Sequence, residues 1–111
     1  MFKNENAEKF QSNEPTIQPN GYLLVLEKED LRVVAASSNF SKIVVGGAKT
    51  ILGHTFDELF GAAITANLRR RLNQEGRTLM LISGDFPLFD HRRFNCYVQT
   101  MSNRVLIEME E

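Results

Sequence analysis

The sequence predicts an α+β fold, a five-stranded antiparallel sheet with short helices on one face. Two strand-like segments open the folded region, several helix-like segments follow, and three more strand-like segments close it. A block of helices between two blocks of strands is typical of an antiparallel sheet with its helices gathered on one side. The chain has 111 residues, which suits one domain with its own core and is too short for two.

The composition is that of an ordinary soluble domain. Lys and Arg number 13 and Asp and Glu number 14, for a formal net charge of −1, and 42% of the residues are hydrophobic. Near-neutral charge argues against a dedicated nucleic-acid binder or a polybasic membrane binder, because both need a basic surface. The single cysteine excludes a disulfide framework and a cysteine-based zinc site, and it fits a reducing, cytoplasmic setting. No apolar run approaches the roughly 18 residues of a membrane span, and the polar start does not predict a signal peptide.

The first thirteen residues predict a flexible arm. They are polar or charged apart from Met1, Phe2, Ala7 and Phe10. Such a segment cannot bury enough apolar surface to offset the entropy of ordering it. Apolar density rises from Glu14 onward, so we place the arm at residues 1–13 and a single domain at residues 14–111.

The first predicted strand is the continuous apolar run from Tyr22 to Leu26, extended to Glu27. Both of its faces are apolar, which favours a central position in the sheet. The polar turn Lys28-Glu29-Asp30 leads to a return strand over residues 31–37, and together they predict an antiparallel hairpin. The second apolar face is either an interface or a surface covered by the arm or by a helix of this chain. If it is an interface, Tyr22→Asp or Val25→Asp should weaken docking or self-association.

Capping signals predict the helices. The pair Ser38-Asn39 begins a short helix that extends to about residue 45 and is ended by Gly46-Gly47. The segment Thr55-Phe-Asp-Glu58 matches a capping box, and Gly61 ends the one-turn helix that it begins. A further helix spans residues 62–75. Its apolar stripe, before the stop at Gly76, consists of Ile64, Leu68 and Leu72. These glycines do not form a Gly-x-Gly-x-x-Gly fingerprint, so they predict no nucleotide site.

The remaining chain returns to a period of two. Residues 78–82 predict the third strand, and Gly84-Asp85-Phe86-Pro87 predicts a turn. Apolar and polar residues alternate through the fourth strand, over about residues 91–101. A turn at Ser102-Asn103 then leads to a fifth strand over residues 105–109.

Several short segments, taken together, are typical of one family. Residues 17–21 read Ile-Gln-Pro-Asn-Gly and are followed by Leu23-Leu24-Val25-Leu26. Further segments are Asp30-Leu31-Arg32-Val33-Val34, Ser37-Ser38-Asn39, Ile51-Leu52-Gly53, Leu59-Phe60 and Val105-Leu106-Ile107-Glu108-Met109-Glu110. In this order they resemble the N-terminal PAS domain of phytochromes, over about residues 14–111. The resemblance implies the PAS fold, the five-stranded antiparallel sheet described above.

Two departures from that family concern its pigment, a bilin. Asn20 stands where the opening motif usually has histidine, and Gln99 stands where many members have another histidine. Bacteriophytochromes attach the bilin to a cysteine in the arm before this domain, and residues 1–15 contain no cysteine. Other phytochromes attach it through a following GAF domain. The resemblance therefore implies no cofactor in this domain and a bilin carried, if at all, by a downstream GAF domain of the parent protein.

The sequence predicts no catalytic, cofactor-binding or metal-binding residue. Cys96 shares a strand face with Phe94 and Val98, which favours a buried core thiol over a pigment attachment point. The only histidines are His54 and His91. With Asp57, Asp85 and Asp90 nearby they match no metal-ligand spacing and no catalytic triad. We interpret them as polar loop residues.

The arginines predict a solvated surface rather than a nucleic-acid site. Arg69-Arg70-Arg71 lies between Leu68 and Leu72, at helix positions that face solvent. Arg77, Arg92 and Arg93 are the other candidates for a basic patch. An electrostatic contact with a neighbouring domain is the alternative.

The resemblance implies a non-catalytic input module of a larger cytoplasmic sensor, commonly a two-component histidine kinase, and an excised domain rather than a whole protein. Its expected partners are an adjacent GAF-like domain, a second copy through the sheet face, or both, with no nucleic acid and no membrane. Relay of a signal requires a partner whose contacts differ between two states. The alternatives are a PAS pocket that binds a small ligand directly and a dimerisation module in a non-photosensory sensor. A small enzyme is disfavoured because no catalytic constellation is present.

Overall fold

Five antiparallel strands form one sheet in the computed structural model, which describes residues 21–74 and 76–111. The strands are β1 (Gly21–Glu27), β2 (Val33–Ala36), β3 (Thr78–Ile82), β4 (Phe94–Met101) and β5 (Arg104–Glu110). Their spatial order is β2-β1-β5-β4-β3, so β1 is an interior strand, as predicted. The fold class is the predicted one. The predicted arm and the position of Asn20 lie outside the described residues.

Two tight connections set the sheet register. A polar turn at residues 28–30 joins β1 to β2, and Ser102-Asn103 joins β4 to β5, both as predicted. Strand β2 is shorter than the predicted residues 31–37. Leu31 has a φ of 58° and Arg32 forms an isolated bridge with Thr55, so regular pairing with β1 begins only at Val33.

The helices differ from prediction at their ends. The helix expected over residues 38–45 is a 3-10 helix, Ser38–Lys42, whose N-cap residue is Ser37. The sequence prediction missed α1 (Ala48–Ile51) and a 3-10 turn at Pro87–Phe89. The fourth strand starts at Phe94 rather than at residue 91. Asp90 and His91 both have a φ near 60°, and this left-handed backbone cannot join a ladder.

The longest described helix, α2 (Phe56–Arg71), begins at the predicted capping box and joins two predicted helices into one. The Thr55 hydroxyl accepts a hydrogen bond from the Glu58 N–H at 3.2 Å, and the Glu58 carboxylate accepts from the Thr55 N–H at 2.9 Å. Gly61, with a φ of 86°, interrupts the helix where a stop was predicted. The chain resumes its helical path and ends at Arg71 rather than at residue 75. Leu68 is fully buried, so the predicted apolar stripe faces the core.

All helices that contact the core lie on one face of the sheet. The buried side chains of this inner face are Tyr22, Leu24, Leu26, Met80, Ile82, Phe94, Cys96, Val98, Val105, Ile107 and Met109. Tyr22 was expected to be a possible docking residue, and that expectation is wrong. The period of two places it with Leu24 and Leu26, where it is 4% exposed and packs 5.1 Å from the Phe40 ring. Tyr22→Asp would therefore break the core rather than test an interface.

Candidate interaction site on the outer sheet face

Stacked rings fill the space between the inner sheet face and the helices. The Phe60 and Phe89 rings stack with centroids 4.7 Å apart. Phe89 also meets Phe40 and Phe94 edge-on, with each centroid 6.3 Å away. These four rings are at most 3% exposed. A small ligand bound there would have to displace a ring, which counts against the alternative of a ligand pocket between sheet and helices.

One open depression on the surface of the described residues lies elsewhere. It has a volume of about 440 Å³, and it is lined by the hairpin turn and by α2, through Asp30, Thr55, Asp57, Ala62, Thr65, Ala66 and Arg69. The depression is shallow and opens widely to solvent, so it encloses no ligand.

Cys96 is a core residue, as predicted. Its side chain is fully buried on the inner face of β4, and burial raises the pKa of its thiol to about 12. A thiol that keeps its proton and has no access to solvent does not fit thioether attachment of a bilin. The chain has no other cysteine.

The two histidines each contact one nearby carboxylate and do not come together with a nucleophile. His54 Nδ1 lies 3.2 Å from Glu58 Oε1, just before α2. His91 Nδ1 contacts the Asp85 carboxylate in the loop after β3. The pKa of Glu58 is lowered, chiefly by the backbone hydrogen bond from Thr55 and then by His54. No group of three or more potential metal ligands occurs in residues 21–74 and 76–111, and the absence of catalytic residues stays a prediction.

Two of the three helix arginines match the solvated-face prediction. Arg69 and Arg70 are exposed on α2, but Arg71 is half-buried and its buried Nε has no hydrogen-bond partner among the described residues, so the prediction is wrong for Arg71. Arg92 pairs with Glu111 at 2.6 Å and with Asp90 at 3.2 Å, and these carboxylates raise its pKa. Arg77 lies away from the helix, on the sheet.

The outer sheet face is the surface that the helices leave uncovered. Its side chains come from the alternate positions of all five strands, where exposure is intermediate or high. Its apolar members are Leu23, Val25, Val34, Ala35, Leu79, Leu81, Met101 and Leu106. Leu79, Leu81 and Met101 are each more than 50% exposed. They share this face with Asn95, Gln99, Glu108 and Glu110, and large exposed apolar side chains grouped on one face favour an interaction site.

An aromatic and charged group sits within this apolar face. The Arg77 guanidinium carbon lies 4.2 Å from the centre of the Tyr97 ring. The same guanidinium donates to Glu108 Oε1 at 2.8 Å. Tyr and Arg are the residue types enriched at the energetic centres of interfaces. Their mutual contacts hold the two side chains against each other, which reduces the rotamer entropy that docking would cost.

Gln99 also belongs to the outer face. It is exposed on β4 directly opposite Leu106 of β5. The sequence showed that β1 has a second apolar face but not that Tyr97 and Arg77 lie on it. The alternation of β4 could have predicted the position of Tyr97, because Tyr97 follows the inward-facing Cys96 and must therefore point to the other sheet face.

No helix in the described part of the chain is long and apolar enough to cross a membrane. The comparisons with known proteins agree on one family. A family model described as PAS fold, the phytochrome-type PAS, matches residues 7–111. Among curated proteins no sequence matches this chain.

Solved structures of bacteriophytochromes are similar to most of this chain. The chromophore-binding domain of an unusual bacteriophytochrome from R. palustris is 28% identical with a TM-score of 0.65, over 85% of this chain and 31% of that chain. The corresponding domain of a point mutant of the Stigmatella aurantiaca bacteriophytochrome, in the Pr state, is 27% identical with a TM-score of 0.61, over 85% and 32%. A PAS-GAF-PHY fragment from that organism is 23% identical, covers 89% and 21%, and with a TM-score of 0.63 shows the fold alone. This chain thus spans about a third or less of the length of these structures.

Proposed function

Since this chain belongs to the phytochrome-type PAS family, we propose that it is an input domain of a longer photoreceptor-like protein, and that it acts by packing against a neighbouring domain rather than by catalysis. The observation that carries the proposal is the apolar outer sheet face with Tyr97 and Arg77 fixed within it. The neighbour that we propose is a GAF-like domain of the same polypeptide. Support comes from the similarity to chromophore-binding domains that extend well beyond the length of this chain.

The proposed mechanism is a conformational relay through the sheet. A rigid core with stacked rings transmits a change at one element to the strands packed on it. The change biases the neighbour only if contacts on the outer face differ between two states. The bilin is proposed to sit in the neighbouring domain, since Cys96 does not fit attachment. A histidine kinase output and a cytoplasmic location belong to the same proposal. A homodimer through the sheet face remains the competing use of the same surface.

The chain allows a clean test by cysteine labelling. Cys96 is fully buried and its thiol pKa is raised, so the wild-type chain provides a low background for maleimide. The variant Gln99→Cys places a reactive thiol in the outer face. The variant Val45→Cys is the matched control, because Val45 is 94% exposed and lies off the sheet.

Labelling rates would be compared between the isolated domain and the longer polypeptide that carries it. We expect the rate at position 99 to fall at least tenfold in the longer polypeptide, while the rate at position 45 stays within twofold. When the longer polypeptide is loaded with biliverdin, the rate at position 99 should also differ between dark and illuminated samples. Equal rates at position 99 in the isolated and longer forms would remove the docking proposal. Equal rates in dark and light would remove the relay.

A further inference from the structure

The sheet has two edge strands, β2 and β3, and they differ in whether other parts of the chain cover their free edges. On the edge of β2 that points away from β1, the Gly53 N–H donates to the Val33 carbonyl and the Val33 N–H donates to the His54 carbonyl, each at 2.9 Å. The loop before α2 therefore covers that edge. Within the described residues, no strand or isolated bridge pairs with the other side of β3. Among the residues that the structure describes, one edge is covered and the other is open.

Alternation of the backbone groups shows which residues face the open edge. The Ser37 N–H donates to the Leu23 carbonyl, so the backbone N–H and C=O of Leu23 point toward β2 and those of Leu24 point toward β5. The pairings β1–β5, β5–β4 and β4–β3 continue without a register shift. Carried across them, the alternation points the backbone of Met80 toward β4. The N–H and C=O groups of Leu79 and Leu81 therefore point out of the sheet.

The side chains of this edge are also unguarded. Leu79 and Leu81 are 54% and 52% exposed on the outer face, and β3 contains no charged residue and no proline. Natural edge strands are normally protected by Lys, Pro, bulges or covering loops. The irregularity in β2 pairing between Val25 and Leu26, together with its covering loop, supplies such protection at the other edge. Nothing comparable is built into β3.

We propose that the open edge of β3 pairs with β3 of a second copy of this chain, antiparallel and centred on Met80. The strand is self-complementary in that register because its sequence, Thr-Leu-Met-Leu-Ile, places a leucine on each side of Met80. Leu79 then lies opposite Leu81 of the second copy, and Leu81 opposite its Leu79. The backbone N–H and C=O groups of both leucines point away from β4, so each opposed pair exchanges two backbone hydrogen bonds and the dimer gains four.

The charges around the strand permit this pairing. Arg77 lies three residues before Met80 and Ser83 three residues after it, so each arginine meets a serine and no like charges are opposed. The Arg77 guanidinium is also already paired with Glu108. The four leucines form one continuous row on the outer face. A partner strand carrying charges at these positions would leave the row interrupted, which favours a second copy as the occupant.

The small size of the contact sets the expected affinity. A five-residue strand is about 17 Å long, and its edge buries well under the roughly 800 Å² per partner of a standard interface. Such contacts are weak, so we expect a dissociation constant of roughly 10 µM to 1 mM. The proposal does not depend on the docking of a neighbouring domain.

The test is sedimentation velocity of the chain from about 10 µM to 1 mM, with two double variants. Leu79→Lys with Leu81→Lys, and Leu79→Glu with Leu81→Glu, should each weaken the dimer at least tenfold, because like charges then face each other across the pair. An equimolar mixture of the two should recover a dimer, because lysine then meets glutamate at every pair. Both leucines are already half exposed, and circular dichroism checks that the variants fold. Leu52→Lys, at a 40% exposed site off the sheet, is the matched control and should dimerise like wild type.

The outcomes separate this proposal from the alternatives. A chain that stays monomeric at 1 mM overturns the edge-pairing proposal. Hydrogen exchange would then show whether the chain's own residues protect the Leu79 and Leu81 amides, but neither result would restore the proposal. A dimer that survives both double variants but is lost in Val25→Asp is a face-to-face dimer and also overturns it. Recovery by the mixture, together with an unchanged dimer in Val25→Asp, supports it. Docking is measured separately by labelling at position 99, so either proposal can fail alone.

Discussion

Removal of the Phe89 ring is the sharpest perturbation of the filled core. Phe89 is fully buried, stacks on Phe60 at 4.7 Å and meets Phe40 and Phe94 edge-on. A buried Phe→Ala substitution costs about 3–5 kcal/mol. The three ring contacts place Phe89→Ala at the upper end of that range, since each aromatic pair adds about 0.5–1.5 kcal/mol beyond area. Against a total stability of about 5–15 kcal/mol, the variant loses between a third and all of its stability.

The assay is urea unfolding followed by circular dichroism, with and without a small aromatic such as benzene. Phe89→Ala leaves an apolar, ring-sized cavity, and benzene should raise its unfolding free energy while leaving the wild type unchanged. Phe89→Leu keeps most of the volume and should lose only about 1–2 kcal/mol, which preserves the test if the alanine variant does not fold. A loss below about 1 kcal/mol for Phe89→Ala would refute the filled core. Stabilisation of the wild type by benzene would show that a pocket already exists.

Three further predictions concern the helix cap, the buried thiol and the helix interruption. Thr55→Ala should lower the unfolding free energy by about 1 kcal/mol at neutral pH. The pKa of Glu58 is depressed in the fold chiefly by the Thr55 backbone N–H, which Thr55→Ala keeps, so Glu58→Ala is the variant whose deficit relative to wild type should shrink as pH falls below about 4, measured by urea titrations at each pH. The thiol pKa of Cys96 is raised to about 12, so the folded chain keeps a proton that the unfolded chain releases. Stability should therefore fall above about pH 9 by up to about 1.4 kcal/mol per pH unit. Cys96→Ala should lack that component, and parallel slopes for the two proteins would contradict it. Gly61→Ala should lower the unfolding free energy by about 1–2 kcal/mol because Gly61 has a φ of 86°. An added Cβ meets no atom within 4 Å, so backbone strain is the only cost. Thermal unfolding, with Ala62→Gly as the control, checks this prediction.

Local signals predicted the regular elements well because each depends on residues close together in sequence. The capping box at Thr55 and Glu58 and the break at Gly61 are contained within seven residues. The strand β3 has the predicted bounds because Arg77 and Ser83 flank an uninterrupted apolar run. In these segments propensity, capping and burial all favour the same structure.

The errors lie where distant contacts or backbone conformation decide the result. The segment Gly84-Asp85-Phe86-Pro87 was predicted to be a simple turn, but Phe89 enters the core just after it and Phe86 packs against that core. Two consecutive residues in left-handed conformation, Asp90 and His91, then delay the start of β4. No periodicity in the sequence marks such residues: aspartate and histidine are enriched in that conformation, but only glycine adopts it routinely.

The candidate site was only half predictable for a related reason. The apolar second face of β1 is visible in Leu23 and Val25, but the contact of Arg77 with Tyr97 depends on the pairing of β3 with β4. The sheet order, and hence the identity of the two edges, also depends on which strands pair. Neither is encoded in any single segment.

The outer face and the open edge of β3 share two residues, which links the two proposals. Leu79 and Leu81 present their side chains to the outer face and their backbone groups to the edge. Pairing two copies would therefore extend the apolar row past one domain, into the footprint of a neighbour docked beside Tyr97. Thermodynamic linkage makes the two effects equal. If a docked neighbour contacts both copies, docking raises the affinity of β3 pairing by the same factor by which pairing raises the affinity of docking. If the neighbour needs an unpaired β3 edge, each process lowers the affinity of the other by the same factor. The dimer dissociation constants of the isolated domain and of the longer polypeptide give the sign. Equal constants would mean that the docked neighbour does not reach β3.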